Sequence, residues 1–415
     1  MNILVTGISG LGRNQLFNTL DSKIKIYDLG ERIVNLARSR GLFYSDKNIL
    51  RANQPTLAAL RAAAIEQISN EISAKKKDGQ INLISTHAIF MLLDGFRSGL
   101  DLVDVAALKP DMVVTLIDGP QYIHDRLREH PGDYFHLTVE SIIRWQEFEV
   151  FFSEHLAKER KVKHYVMPVN QPDTFHGVIF HPERQSVYAS YPMTHLEEQF
   201  LPKIRDFVNL LKKHFIVFDP ASIESSHDLK DYYTAEDHRA IANHTIVRDM
   251  DWFIRINAEK VIAYWPTIVF SSGMNDELRY AYDLGKETIL VTERPEDGRL
   301  PILSPFTTYK SKMFWSKRDL EEYLKLPKNL QQVYSIIQDE MTDYLRMQTM
   351  LEDPLEKEDF VNRCIYLCHY KIAATELEQI EKEIPKVADK IFEVWKHLIV
   401  KTPNQNKNNP SQKKK

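Results

Sequence analysis

A glutamate at the start of a predicted helix is the residue of this sequence best suited to covalent chemistry. Small and polar residues from Ser271 to Asp276 precede Glu277, and an apolar stripe after it predicts a helix that ends at Gly285. Asn275 or Asp276 is expected to cap that helix, which puts Glu277 in its first turn. A carboxylate there could act as a nucleophile or base, or it could be a capping-box residue that complements the helix dipole.

A glycine-rich loop near the start of the chain indicates phosphate binding. The apolar strand Asn2–Thr6 runs into a loop with the spacing G-x-x-x-x-G, and a helix is predicted after it. Backbone N–H groups of such a loop can approach phosphate oxygens, and the helix N-terminus adds its dipole. A purely structural glycine turn is the alternative. The predicted nucleotide-binding residues are Gly7, Gly10, Gly12, Arg13, Asn14 and Gln15.

Composition limits the class of protein. The chain has 415 residues, 43% of them hydrophobic, and a net charge of -4, which allows two or three domains and gives no electrostatic footprint for nucleic acid. No apolar run is long enough to span a bilayer and no signal peptide precedes the first strand, so no membrane partner is expected. Two cysteines, Cys364 and Cys368, exclude a disulfide framework and favour the cytoplasm. They are expected to be core residues, and no metal site is predicted.

Strands alternate with helices in two successive series, which predicts an α/β protein with two parallel, Rossmann-like sheets and a C-terminal helical segment. Polar residues at 170–185 predict a linker or hairpin between the two series. A single helix is predicted over 235–256, and Pro385 should kink or split the last helical stretch. The predicted divisions are a first domain at 1–170, a linker at 171–185, a second domain at 186–326, a helical region at 327–400 and a disordered tail at 401–415.

Residues 1–170 resemble the archaeal-type adenylate kinase family. The glycine loop and four further blocks follow in family order: DLGERIVNLARSRGLFYSD, LISTHA, VAALKPDMVVTLID and SIIRWQEFE. The resemblance implies a P-loop kinase fold that binds ATP or another nucleotide.

The sequence departs from the kinase pattern at positions that would take part in phosphate and Mg²⁺ binding. Arg13 stands where the loop motif has lysine, and Asn14 stands where it has a hydroxyl that binds Mg²⁺. The resemblance also implies a metal-serving aspartate at the position of Ser85, and a lid with several arginines, of which Arg126 and Arg128 remain. It therefore implies a nucleotide-binding domain that is degenerate as a kinase, with Mg²⁺ binding left open.

Residues 186–326 resemble the nucleoside 2-deoxyribosyltransferase family, which includes nucleoside and nucleotide N-glycosidases. YASYPMT, RDMDWFIRINAEKVIAYW and SSGMNDELRYAYDLGKETILV are similar to its first-strand motif, its Asp-bearing helix and strand, and its loop-Glu-helix signature. The resemblance implies a flavodoxin-like sheet, Glu277 as nucleophile, no cofactor for glycosidic cleavage, and a homo-oligomer in which a neighbour completes the pocket. The loop Gly273 to Glu277 is longer than in the family, so it could move Glu277 or bring Asp276 into the reaction.

Cleavage of an N-glycosidic bond needs a carboxylate that traps the cationic anomeric carbon and an acid that helps the base leave. Asp249 or Asp251 could be that acid if burial raises its pKa, and Asp249 is preferred; solvated helix charges are the alternative. The two lie two apart on a helix and cannot both face one pocket. Tyr191 could hold the Glu277 carboxylate or be a core residue. The predicted substrate-binding residues, whose serines could equally be turn residues, are Ser190, Met193, Ser271, Ser272, Gly273, Met274 and Asp276.

Three functions are consistent with these patterns. The first is cleavage or transfer at the N-glycosidic bond of a nucleoside or nucleotide, beside a nucleotide-binding domain. The second is a nucleotide-sensing protein in which neither site turns over, and the third is an active nucleoside monophosphate kinase. The expected partner in each case is a small nucleoside or nucleotide.

Overall fold

A computed structural model describes residues 1–21, 23–45, 48–74, 79–92, 95–129, 134, 136–193, 198–223, 230, 232–267, 271–293, 310–347 and 356–399. The chain divides into two compact units, residues 1–188 with 216–259 and residues 189–215 with 260–415. The domain boundaries expected from the sequence stay predictions. The expected disordered tail at 401–415 lies outside the described residues.

Five strands form the first parallel sheet. They are β1 (Asn2–Thr6), β2 (Ile24–Asp28), β3 (Ile81–Ser85), β6 (Met112–Ile117) and β7 (Lys163–Pro168), in the spatial order β2-β3-β1-β6-β7. A small antiparallel hairpin, β4 (Ile89–Leu92) and β5 (Gly95–Ser98), follows β3. The apolar run Ile3–Val5 is fully buried, as is typical of a central parallel strand.

Helices follow the strands of this first sheet. They are α1 (Arg13–Phe17), α2 (Leu29–Ser39), α3 (Gln54–Ala74), α4 (Leu102–Leu108), α5 (Pro120–Glu129), α6 (Val139–Arg160) and α7 (Pro172–Phe180). The last of these corrects the predicted linker or hairpin at 170–185. Pro172 stands at the first helical position, where a missing N–H costs nothing, and Phe175, Val178 and Ile179 bury one face of α7.

The second sheet also has five strands. They are β8 (Ser186–Ser190), β9 (Ile216–Phe218), β10 (Lys260–Trp265), β11 (Glu287–Thr292) and β12 (Lys312–Phe314), in the order β9-β8-β10-β11-β12. Pairs β8–β9, β10–β11 and β11–β12 are parallel. Numbered from β8, this order reads 2-1-3-4-5, which is the flavodoxin-like order. The predicted α/β class with two parallel sheets is therefore confirmed.

The helices of the second series include one irregular segment. They are α8 (Leu201–His214), α9 (Ala235–Val247), α10 (Ser272–Asp283) and α11 (Lys317–Leu324). The single helix predicted over 235–256 is wrong in detail, because α9 gives way to a π-helix over Arg248–Asn257. The Ala258 N–H donates to the Phe253 carbonyl at 2.9 Å, which is the wider π-type spacing.

The described C-terminal part is mostly helical, as predicted, and contains four α-helices. They are α12 (Lys328–Met347), α13 (Lys357–Lys371), α14 (Ala374–Ile380) and α15 (Ile384–Ile399). Pro385 is the second residue of α15, so the predicted split at this proline is confirmed. Cys364 and Cys368 on α13 are free and fully buried, which confirms them as core residues. None of the helices in the described residues combines the length and apolarity that a bilayer crossing needs.

Candidate functional site

The glycine-rich loop lies at the carboxyl end of β1, the central strand of the first sheet. Gly12 has φ 72° and caps the N-terminus of α1, a conformation that L side chains rarely adopt. Gly10 has φ 82°, and a Cβ atom there would lie 2.9 Å from Leu127. These positions require glycine for the close approach of backbone and neighbouring helix, in agreement with either a phosphate-binding or a structural loop.

Arg13 extends from this loop to the end of β3. Its Nη1 donates to the Ser85 hydroxyl at 3.0 Å and to the Thr86 carbonyl at 3.3 Å. The guanidinium therefore puts positive charge at the position where the kinase resemblance implies a metal-serving carboxylate. Together with Asn14, which lacks a hydroxyl, this arrangement does not present the acidic oxygens that Mg²⁺ prefers. In the described residues no group of three or more His, Cys, Asp or Glu could hold a metal ion.

A cavity of about 400 Å³ opens beside the N-terminus of α1. Two of the predicted nucleotide-binding residues, Gly12 and Gln15, line it, and the other lining residues come from segments after β6, β7 and β9. The full lining is Gly12, Gln15, Asp118, Tyr122, Arg126, Val169, Asn170, Ala221, Ser222 and Ile223. Its volume is in the range of about 300–1,000 Å³ that is usual for small-molecule sites.

A partly buried ion pair lies beside the glycine-rich loop, and its arginine joins α5 to that loop. The Arg126 guanidinium pairs with Asp118 and donates from Nε to the Gly10 carbonyl at 2.5 Å. The Gln146 side chain forms two hydrogen bonds with the Asp118 backbone. It accepts from the Asp118 N–H and donates to the Asp118 carbonyl, both at 3.1 Å. Burial raises the pKa of Asp118, and the Arg126 charge opposes that rise. Sequence reasoning named Arg126 and missed Asp118, although a polar residue directly after a buried strand was a usable signal.

Glu149 on α6 is a second residue that sequence reasoning missed. Its carboxyl group accepts backbone N–H bonds from Gly7 at 2.7 Å and from Ala88 and Ile89 at 2.8 Å each. Burial raises the pKa of Glu149 to about 7, although the three N–H donors favour the ionised form. This side chain holds the first residue of the glycine-rich loop to the segment after β3.

The buried His87 contacts the same loop. Its Nε2 lies 3.1 Å from the Ser9 hydroxyl. Burial, helped by the nearby Arg13 charge, holds the pKa of His87 well below its ordinary value, so the ring is neutral near pH 7. A neutral ring can accept from the Ser9 hydroxyl or donate to it.

Glu277 lies on α10 in the second unit, where it contacts Ser190. The Ser190 hydroxyl donates to Glu277 Oε2 at 2.5 Å. Ser190 is the last residue of β8, and α10 follows β10, the next strand across the sheet. The strand order reverses between these two strands, so the pair lies at the carboxyl-edge crevice where ligands of open α/β sheets bind.

The predicted start of the Glu277 helix is wrong. The cap is Ser271, whose hydroxyl accepts from the Met274 N–H at 3.4 Å, and not Asn275 or Asp276. Helix α10 therefore begins at Ser272, and Glu277 lies in its second turn. Ser271 is itself a strong capping residue, and the earlier start lets Met274 bury its side chain on the same face as Leu278. The segment Gly273 to Glu277, which is longer than the corresponding loop of the deoxyribosyltransferase family, is thus part of a helix that begins at Ser272.

The other predicted substrate-binding residues have different exposures. Ser190 and Tyr191 are buried, Met193 is 37% exposed, and Met274 is 2% exposed. Ser272, Gly273 and Asp276 are exposed on the first turns of α10, and Ser271 is half-buried. The hydroxyl that holds Glu277 belongs to Ser190, while the role proposed for Tyr191 stays a prediction.

The two candidate acids lie in the first unit, on the π-helix. Asp249 is buried and pairs with Arg248, with Oδ1 2.8 Å from Nε and Oδ2 3.1 Å from Nη2. Burial raises the pKa of Asp249, as an acid role requires, and Arg248 opposes the rise. Asp251 is more exposed and lies 3.2 Å from Arg255, which also pairs with Glu154. The two aspartates differ in burial and in their arginine partner, while the expectation that they cannot both face one pocket and the acid role itself stay predictions.

Comparison with known proteins bears on the N-terminal part. No protein-family model matches the chain. An adenylate kinase from Pyrobaculum aerophilum is 24% identical to it over 151 residues, which are 35% of this chain and 73% of that protein. This distant similarity, together with the strand-loop-helix geometry at Gly7–Gly12, supports a P-loop, kinase-like nucleotide-binding domain in the N-terminal part of the chain.

Proposed function

We propose that the chain binds a nucleotide through its kinase-like N-terminal part, and cleaves or transfers the N-glycosidic bond of a nucleoside or nucleotide through Glu277. The observation that carries the second activity is the 2.5 Å hydrogen bond from Ser190 to the Glu277 carboxylate. A hydroxyl donor at that distance restricts the orientation of the carboxylate. The pair lies where the strand order reverses, which is the expected ligand crevice of this sheet.

The reaction follows from the chemistry of a positioned carboxylate. A Glu277 oxygen attacks the anomeric carbon, the carbon–nitrogen bond breaks, and its electron pair leaves with the base, which takes a proton from an acid. Water or a second base then attacks the same carbon and displaces Glu277. Hydrolysis results in the first case and base exchange in the second.

Asp249 is the proposed acid. Its carboxyl group is buried, and burial raises its pKa, which favours the protonated form that an acid needs. The neighbouring Arg248 charge opposes this effect. Asp251 is bonded to Arg255 on a more exposed face and is the weaker candidate.

The test is free-base release from a panel of ribo- and deoxyribonucleosides and their 5′-phosphates, followed by chromatography. Glu277→Gln should lower the rate at least about a thousandfold, as expected for loss of a covalent nucleophile. Asp283→Asn is the matched control, because Asp283 is an exposed acidic residue on the same helix and has no predicted role in the site. Equal rates for the wild type and Glu277→Gln would exclude Glu277 as the nucleophile.

A specific observation favours a second candidate, nucleotide sensing without turnover. Two arginines of the kinase-like site are already engaged by the protein, Arg13 by Ser85 and Thr86, and Arg126 by Asp118 and Gly10. Phosphoryl transfer needs such cations, with Mg²⁺, on the phosphates. Calorimetric nucleotide binding with neither base release nor phosphoryl transfer would establish this function.

The similarity to an adenylate kinase keeps phosphoryl transfer as a third candidate. It predicts ADP formation from ATP and a nucleoside monophosphate, with loss of that activity in Arg13→Ala. No ADP formation with Mg²⁺ over long incubation would exclude it.

A further inference from the structure

We propose that the turn Asp219–Ile223, after β9, forms one wall of the nucleotide site and contacts the nucleoside part of a bound mononucleotide. The turn follows β9 and lies outside residues 1–170, the region that resembles adenylate kinases. The proposal rests on nucleotide binding at the glycine-rich loop. It adds that the specificity of this site depends on residues from outside the kinase-like region.

The turn and the glycine-rich loop line the same cavity. Ala221, Ser222 and Ile223 line it together with Gly12 and Gln15 at the N-terminus of α1. Both segments belong to the same compact unit. A ligand whose phosphate approaches Gly12 therefore extends towards the turn.

Hydrogen bonds fix the turn to the segment that follows β7. The Gln171 amide donates to the Asp219 carbonyl at 3.1 Å, and the Asn170 amide donates to the Ser222 carbonyl. Within the turn, the Asp219 carboxylate accepts from the Ala221 N–H at 3.1 Å, and the Ser222 hydroxyl donates to the Asp219 carbonyl at 2.7 Å. The side chains of Asn170 and Gln171 therefore hold the turn in place from outside, and those of Asp219 and Ser222 hold it from within.

The lining combines charged, polar and apolar groups. Arg126 and its partner Asp118 both line the cavity. Tyr122, Val169 and Ile223 add apolar surface, and Asn170 and Ser222 add polar groups. A nucleobase has an apolar face that stacks on aromatic rings and polar edges that form hydrogen bonds. A cavity of about 400 Å³ with this mixed lining, part of it supplied by the turn, suits the nucleoside part of one nucleotide.

The experiment is titration calorimetry of the full chain with AMP and with ATP, comparing the wild type with Ala221→Trp. Ala221 is exposed at the cavity lining, so the bulkier side chain fills space that the ligand needs without entering the core. We expect nucleotide affinity to fall at least tenfold. Ala59→Trp is the matched control, because Ala59 is an exposed alanine on α3 that does not line the cavity, and its affinity should stay within twofold of the wild type.

The outcomes separate this proposal from nucleotide binding as such. Equal nucleotide affinities in the wild type and Ala221→Trp would refute the proposed contact with the turn but not nucleotide binding itself. A wild type that binds no nucleotide overturns both. If Ala221→Trp lowers the thermal unfolding midpoint, Ala221→Leu, a smaller extension at the same exposed position, takes its place and must also weaken binding.

Discussion

The buried Glu149 predicts a pH-dependent stability that one substitution should remove. Its carboxyl group accepts three backbone N–H bonds, one of them from Gly7 in the glycine-rich loop. Burial nevertheless raises its pKa from 4.5 to about 7. Glu149→Gln keeps the size and shape of the side chain and one of its two acceptor oxygens, replaces the other oxygen with an NH₂ group that only donates, and removes the proton that titrates.

The sign and size of the effect follow from linkage. The folded chain holds the Glu149 proton more tightly than the unfolded chain, so the stabilisation it provides is fully present below pH 4.5 and is lost as the pH rises through about 7. The pKa difference corresponds to roughly 3 kcal/mol. Because Glu149 is only 1% exposed, solvent screening reduces this figure little. Wild type should therefore lose roughly 3 kcal/mol relative to Glu149→Gln between pH 4.5 and pH 8.

Urea unfolding of both proteins at several pH values between 4.5 and 8 measures this difference directly. Other titrating groups are common to both proteins, so they cancel in the comparison. Glu140→Gln is the control, because Glu140 is an exposed residue on the same helix and pairs only at the surface with Arg144. A difference between the wild type and Glu149→Gln that does not change with pH would refute the assignment of a raised pKa to Glu149.

Three further predictions concern the two sites and the C-terminal helices. Ser190→Ala removes the donor to Glu277 and should lower the rate of base release roughly tenfold to a hundredfold, while Ser73→Ala, at an exposed position on α3, should leave it nearly unchanged. Arg126→Ala leaves the Asp118 carboxyl group buried without its ion pair and should lower the free energy of unfolding by about 1–3 kcal/mol in urea titrations; an unchanged midpoint would show that the pair is not stabilising. Burial raises the pKa of Cys364, and it raises the pKa of Cys368 to about 11, so neither thiol should react with a thiol reagent in the folded chain at pH 7, and both should react in urea. Rapid reaction of either thiol before unfolding would contradict the burial of α13.

Periodicity and local residue type predicted most of the fold. The apolar strand predicted at Asn2–Thr6 is β1 with the same limits, and both predicted series of alternating strands and helices are present. The π-helix at Arg248–Asn257 was not predicted, because π-helical segments are rare and a helical apolar pattern favours the commoner α-helix. Helix α7 was missed because its prolines and histidines read as loop residues, although Pro172 stands where a helix starts well.

Residues of the candidate sites were predicted less completely than the elements. Glu277 and Ser190 were both named from the sequence, but their mutual contact depends on the strand order β8-β10, which no local pattern contains. Glu149 and the turn at Ala221 were missed for the same reason, since each reaches the glycine-rich loop or its cavity from far along the chain. Long-range packing brings these groups together, and such contacts cannot be predicted from residue spacing within one segment.

Trapping of the glycosyl intermediate tests the central claim most directly. The full chain is incubated with nucleosides and nucleotides that carry fluorine at the 2′ position, which destabilises the cationic transition state and slows release of a sugar bound to the enzyme. Peptide mass spectrometry should then find the sugar attached to Glu277, and no adduct in Glu277→Gln. Base release by the wild type with the adduct on another residue, or with no adduct at Glu277, would contradict the proposed nucleophile.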